Sequence, residues 1–169
     1  VPDLWLCTAP IKKDRFNWIA EKATELGVAR IIPVQTERTQ GHGIKVEKLR
    51  AHMVEAAEQC ERTALPELDP LTGLAEMLEQ WPADRHLFFA DERIHPSGEG
   101  SFRKALVAHD GPAAILIGPE GGFSDAENAM IRMLDRSVAI SLGPRILRAE
   151  TAALAAVSLW MAGRGDWNG

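Results

Sequence analysis

Cysteine, long apolar runs and the usual ligand-binding signatures are all scarce in this chain, and each shortage removes a class of protein. Only two cysteines, Cys7 and Cys60, occur; they stand far apart with no CxxC spacing. A disulfide-built scaffold is therefore excluded, and two buried free thiols in a reducing cytoplasm are expected. The five histidines (His42, His52, His86, His95 and His109) show no HExxH or other ligand spacing, so no metal is assigned. No apolar run reaches the ~18 residues of a membrane helix, and the opening lacks a signal peptide's basic and long apolar regions. No membrane association and a cytoplasmic location follow as expectations. Neither GxGxxG nor GxxxxGK[ST] is present, which argues against a dinucleotide or P-loop site; a GxSxG nucleophile is absent too.

Positive charge is also in short supply. A net charge of −5 speaks against a nucleic-acid partner when taken alone. Its distribution weakens that objection: residues 1–65 hold ten Lys/Arg against nine Asp/Glu, whereas residues 66–140 hold six against thirteen. A locally basic face is compatible with the first segment, although most such charges are simply solvated surface.

The 169 residues, 46% of them hydrophobic, suit one α/β domain over residues 1–169 with a substantial core. Strand-forming residues begin almost at once after Val1, without an initiating Met, so a preceding domain is expected. Leu4–Cys7 reads as a strand. Phe16, Ile19, Ala20, Ala23 and Leu26 recur at helical spacing, with Gly27 at the position of a C-cap glycine. Ile31–Val34 reads as a strand whose Pro33 favours an end or edge position. Val46, Leu49, Met53, Val54 and Ala57 mark a second helix, and His86–Ala90, Ala113–Ile117 and Val138–Leu142 mark further strands. This β-α repetition predicts a mostly parallel sheet with helices on both faces. Two Gly-bearing polar loops, Thr36–Gly43 and Asp91–Gly100, interrupt it. The final helix, Thr151 to about Gly163, is apolar on nearly all sides and must be buried. A subunit interface is the favoured place for it, and the chain's own core is the other.

Two segments carry the chemistry. Ile115-Leu116-Ile117 runs into Gly118-Pro119-Glu120-Gly121-Gly122-Phe123, and Ser124 with Glu127 then forms an S-x-x-E capping box. Strand, glycine turn and capped helix make a ligand site at the C-terminal edge of a parallel sheet, where glycines let a ligand approach the backbone. Alone, the same turn is equally well a structural one. The second segment is Leu142-Gly143-Pro144-Arg145-Ile146-Leu147-Arg148-Ala149-Glu150-Thr151-Ala152, which sets two arginines and a glutamate just before the apolar helix. Glu150 suits the helix dipole, and Arg145 and Arg148 suit phosphate or a base.

Together these two motifs closely resemble the SPOUT class of methyltransferases. Within it, they are similar to the bacterial family that methylates ring nitrogen 3 of a uridine in small-subunit (16S) ribosomal RNA. Lys22-Ala23-Thr24-Glu25-Leu26-Gly27-Val28 and Glu55-Ala56-Ala57-Glu58-Gln59-Cys60-x-Arg62 look like that family's earlier motifs, so the resemblance covers nearly the whole chain. It implies the SPOUT fold with a C-terminal trefoil knot, a homodimer, and S-adenosylmethionine as cofactor. Two departures stand out: the family's N-terminal PUA-like RNA-binding barrel is missing from this chain, and Ala149 stands where Thr is usual.

The resemblance also assigns roles by position. The loop after Phe88-Phe89-Ala90, the Ile117–Gly122 turn (Ile117, Gly118, Pro119, Gly121, Gly122) and the Leu142–Leu147 loop (Leu142, Gly143, Ile146, Leu147) would enclose the cofactor. Arg148 or Arg145 would stabilise the anion developing on the uracil. Glu120 or Glu150 would accept the proton, and Gln59 and Arg62 would meet the RNA. Two alternatives remain: a SPOUT enzyme with another RNA target, such as a ribose 2′-hydroxyl, and a non-catalytic RNA-binding or assembly domain.

Overall fold

The computed structural model describes residues 1–40, 43–94 and 100–167. Of the two polar loops, residues 41–42 and 95–99, and with them His42 and His95, lie outside the described residues. Thirteen elements follow in order: β1 (Leu4–Thr8), α1 (Lys13–Glu25), β2 (Arg30–Gln35), α2 (Val46–Gln59), β3 (Glu67–Leu68), β4 (Thr72–Gly73), α3 (Leu74–Glu79), β5 (His86–Ala90), α4 (Phe102–Ala108), β6 (Ala113–Ile117), α5 (Asp125–Arg132), β7 (Ser137–Ile140) and α6 (Ala149–Gly163). The strands order as β3-β2-β1-β6-β5-β7, with β4 also on β2, and every pairing is parallel.

Strand alternation divides the core in two. Leu4, Leu6, Ile115, Ile117 and Phe88 point to the face covered by α1, α2, α4 and α6, while Cys7, Ala114, Leu116, Leu87 and Phe89 point to the face of α3 and α5. The expected two-faced parallel sheet is what forms. Pro33 is a correction: β2 is internal, and the proline falls between the residues that pair with β3 (Arg30, Ile31) and with β4 (Val34, Gln35), opposite neither. Its missing N–H thus costs no ladder bond on that side. The strand read at Val138–Leu142 spans Ser137–Ile140.

Much of helix α6 lies in the chain's own core. It packs against α1, α4, β6 and β1, and Ala153, Ala156, Val157 and Met161 are fully enclosed. Trp160, at 5% exposure, belongs to the chain's own core. Only Leu159, with half-buried Leu154 and Ala155, leaves an apolar strip uncovered. Cys7 is buried but Cys60, at the end of α2, is exposed, so the second thiol is not the core residue expected.

Both early motifs are helix endings. After α1, Val28 N–H donates to Ala23 C=O (3.1 Å) and Gly27 N–H to Thr24 C=O (3.2 Å), with Gly27 at φ +97°. This is a Schellman ending, which requires the left-handed conformation glycine tolerates. α2 ends the same way through Arg62 N–H to Ala57 C=O (2.8 Å), but there Glu61 takes the left-handed position at φ 59°. Arg62 then reaches across and donates to Thr24 C=O and Val28 C=O, both at 2.7 Å, tying the two endings together.

The N-terminal edge of the sheet is closed by arginines. Arg85 donates from Nη2 to both oxygens of Asp3 (2.9 and 2.8 Å) and from Nη1 to Ala113 C=O (2.9 Å). Its guanidinium carbon lies 3.7 Å from the centre of the Trp5 ring, and that of Arg30 lies 4.6 Å from it. Arg30 forks onto Asp69 with two 2.8 Å bonds, and Trp81 meets Trp5 edge to face at 6.0 Å. Planar guanidinium on an indole face, with paired carboxylate bonds, combines cation–π attraction with charge-assisted hydrogen bonds, although Arg85 Nε is buried without a partner.

Candidate functional site

At the opposite, C-terminal edge, the segments following β5, β6 and β7 converge around a cavity of about 310 Å³. That volume falls in the range of small-molecule sites, ~300 Å³ and upward. The loops are brought together by sheet order, because β6 lies beside β5 and β5 beside β7. They are also stitched to one another: Ser141 N–H donates to Gly100 C=O (2.7 Å) and Phe102 N–H to Ser141 C=O (3.3 Å).

Of the cofactor residues expected from sequence, Ala90, Ile117, Gly118, Pro119, Gly121, Gly122, Leu142, Gly143, Ile146 and Leu147 line the cavity. Phe89 does not. It is fully buried and packs in the core on the α3 and α5 side, because strand alternation turns its ring away from the loop. The glycines shape the wall. A Cβ on Gly118 would sit 3.1–3.3 Å from the Phe123 ring, and one on Gly121 would sit 3.3 Å from Arg38 Cδ. Gly143, at φ +115°, adopts a conformation other residues rarely enter.

The charged residues sort differently. Arg145 and Glu120 line the cavity, while Arg148 and Glu150 stand just outside it at the start of α6. Arg145 and Arg148 are exposed, and neither makes a hydrogen bond or ion pair among the described residues. Both carboxylates share one cation from the far end of the chain: Arg15 Nη1 donates to Glu120 Oε1 at 2.6 Å and lies 3.5 Å from Glu150 Oε1. These partners, and Glu120 first among them, raise the Arg15 pKa above its ordinary value. Glu150 Oε2 is buried with no hydrogen-bond partner.

Gln59 is exposed at the end of α2. Arg62, expected at an RNA surface, is a correction. Its guanidinium is spent on backbone carbonyls inside the chain, and burial lowers its pKa.

Three residues without a motif complete the site. Arg38 lines the cavity and donates to Gly121 C=O at 2.8 Å, bracing the glycine turn. Asp91, buried at the end of β5, accepts from Arg93 Nε (3.0 Å), Asn128 Nδ2 (2.9 Å) and Arg132 Nη2 (2.9 Å). Burial alone would raise its pKa, but these donors outweigh it and hold the carboxylate at about 2. Asp91 is thus a fixed anion clamping the post-β5 loop to α5, unsuited to taking up protons near neutrality. Glu127 closes the capping box with Ser124 and also accepts Glu37 N–H at 2.6 Å. Arg15, Arg38 and Asp91 are invisible to local patterning because, Arg93 aside, their partners lie 37 to 135 positions away. Among the described residues no three His, Cys, Asp or Glu side chains gather as metal ligands would.

A model for an RNA methyltransferase domain matches residues 1–161. The chain is 33% identical over 156 residues to the ribosomal RNA small subunit methyltransferase E of Rickettsia conorii, covering 92% of this chain and 62% of that protein. It thus spans about three-fifths of that curated relative's length. Its fold is similar to that of ribosomal RNA small subunit methyltransferase E from Neisseria gonorrhoeae, solved bound to S-adenosylmethionine (TM-score 0.82, 28% identity, 98% of this chain and 69% of that one). A methyltransferase-like protein of Legionella pneumophila, also solved with that cofactor, superposes with a TM-score of 0.81 at 34% identity over 95% of this chain and 66% of that one.

Proposed function

Because the chain belongs to the RNA methyltransferase domain family, we propose that its three-loop cavity holds S-adenosylmethionine and that it methylates ring nitrogen 3 of a uridine in the small subunit's 16S ribosomal RNA. The observation that carries this reading is the cavity itself. Gly118 and Gly121 let the turn pack closely against Phe123 and Arg38, and Leu142, Ile146 and Leu147 give the cavity apolar sides. A sulfonium-bearing nucleoside, apolar along its ribose and adenine faces, suits a pocket with apolar walls.

When bound, S-adenosylmethionine supplies an activated methyl group. The chain supplies position and charge. Backbone groups of the loops after β6 and β7 hold the adenine edge. Uridine N3 becomes nucleophilic only as its proton leaves, and Arg145 and Arg148, free of other partners among the described residues, stabilise the anion spreading onto the uracil oxygens. Glu120, which unlike Glu150 lines the cavity, accepts the proton; Glu150 holds Arg15 from the other side. The strip at Leu159, Leu154 and Ala155 beside α1 and its exposed Trp18 supports a homodimer. The work is placed in the cytoplasm, where small subunits assemble.

The test pairs two assays on the Arg145→Ala/Arg148→Ala variant. Calorimetry should show S-adenosylmethionine affinity within about threefold of wild type and unchanged by EDTA. Radiolabelled methyl incorporation into small subunits should fall at least ~100-fold, the scale of losing charge stabilisation in a transition state. Equal losses in both assays would reassign the arginines to cofactor binding. Full activity would remove them from the site.

A further inference from the structure

Resting on the reading of this chain as an RNA-modifying enzyme, we propose that Lys13, Lys45 and Lys48 form a phosphate-binding surface that leads the RNA backbone to the cavity mouth. The three lysines come from two separate segments. Lys13 opens α1, whereas Lys45 and Lys48 flank the start of α2. They meet at one small cleft, shared with Asn17, whose floor includes Phe16 and Ile44.

Most clustered cations elsewhere in the chain are already engaged. Arg15, Lys22, Arg30, Arg85, Arg93, Arg132 and Arg164 all hold carboxylates. None of the three lysines has an ion pair among the described residues, and all three are exposed. Like-charged ammonium groups gathered on one patch repel one another, and a polyanion relieves that repulsion.

Size decides which part of an RNA the patch can take. The cleft encloses only about 20 Å³, room for a water-sized group and far too little for a nucleobase. Lysine heads on its rim therefore meet phosphate oxygens from outside and read no sequence.

Position decides the direction. β1 ends beside β6, where Ala9 N–H donates to Ile117 C=O at 3.1 Å, and Ile117 lines the cavity. Two residues past Lys13, Arg15 is bonded to Glu120 on the cavity's glycine turn. The lysine patch and the cavity thus lie on the same C-terminal edge of the sheet, joined by α1. This resolves how an acidic chain holds RNA, and it replaces Arg62, whose guanidinium is turned inward.

The experiment measures binding of the chain to labelled poly(U) across a salt series. Wild type should lose affinity linearly in log–log form. The Lys13→Gln/Lys45→Gln/Lys48→Gln variant should show a slope shallower by about 2, from ~0.7 per lost single-strand phosphate contact, and at least about tenfold weaker binding at low salt. Lys48→Gln alone should give roughly a third of the slope change. Arg136→Glu, at the opposite edge of the sheet, should leave the slope unchanged. Equal slopes in wild type and triple variant overturn the proposal, as does a wild type without salt-dependent affinity. S-adenosylmethionine calorimetry is run alongside: if wild type binds no cofactor while the slopes still differ, the methyltransferase reading falls and the phosphate surface stands.

Discussion

The two edges of the sheet are built to opposite specifications. At the N-terminal edge, Arg85, Arg30, Asp3, Asp69, Trp5 and Trp81 form a closed set of ion pairs and stacked rings, with Arg85 Nε and the neighbouring His86 Nδ1 buried without a hydrogen bond. Arg62 adds a further tie there by capping the end of α1. At the C-terminal edge, Arg145 and Arg148 stand without partners among the described residues, Glu150 Oε2 is buried without a hydrogen bond, and glycines take the place of packed side chains. Same sheet, same strands: one end holds the fold together, and the other keeps its polar groups in reserve for ligands.

If that division holds, substitutions at the two edges should separate stability from binding. The largest effect is expected from Arg85→Ala, which strips Asp3 and Ala113 C=O of their donor and uncovers Trp5. Urea unfolding should register a loss of about 3 kcal/mol, the upper end for hydrogen bonds made by a charged group, with cofactor affinity nearly unchanged. A weakened cofactor site in a folded Arg85→Ala protein would break the comparison.

Asp91→Asn comes next, because Asp91 is the one place where the site edge is braced as firmly as the other. It should cost about 2 kcal/mol. The sign of its pH dependence follows from the depressed pKa of about 2. The clamp contributes fully above the ordinary carboxylate range near ~4 and is lost as pH falls toward ~2. Acid titration of wild type against the variant should therefore narrow the gap below ~pH 4 and converge only near ~pH 2.

Glu61→Gly should stabilise by about 0.5–1 kcal/mol, since Glu61 now occupies a left-handed ending at φ 59°. Smallest of all is Glu150→Gln, expected within about 0.5 kcal/mol of wild type because the oxygen it alters has no partner to lose. A large destabilisation there would show that Arg15 depends on Glu150 charge for the fold.

Much of this was legible in the sequence for physical reasons. The major strands announced themselves as short apolar runs, since parallel strands are covered on both faces. The glycine turn at Gly118–Gly122 was legible as a site only together with the Leu142–Ala152 segment, because alone it reads equally well as a structural turn. β3 and β4, of two residues each, are too short to leave a period. Phe89 was misplaced because membership of a loop motif says nothing about which way strand alternation turns a ring. The inward turn of Arg62 and the reach of Arg15 to Glu120, 105 positions on, depend on tertiary approach alone. The apolarity of α6 was read correctly as burial, but its place between α1 and α4 follows from the order of the sheet.

The stacking of Trp5, Trp81 and Arg85 also settles where the molecule emits light. None of the five tryptophans lines the cavity, and the chain has no tyrosine. Two of the five report on the closed edge and Trp160 on the helical core. Trp18 and Trp167, both exposed, also lie off the cavity lining. Intrinsic fluorescence is thus chiefly a probe of unfolding, and a chromophore placed at exposed Ile146 would follow binding directly.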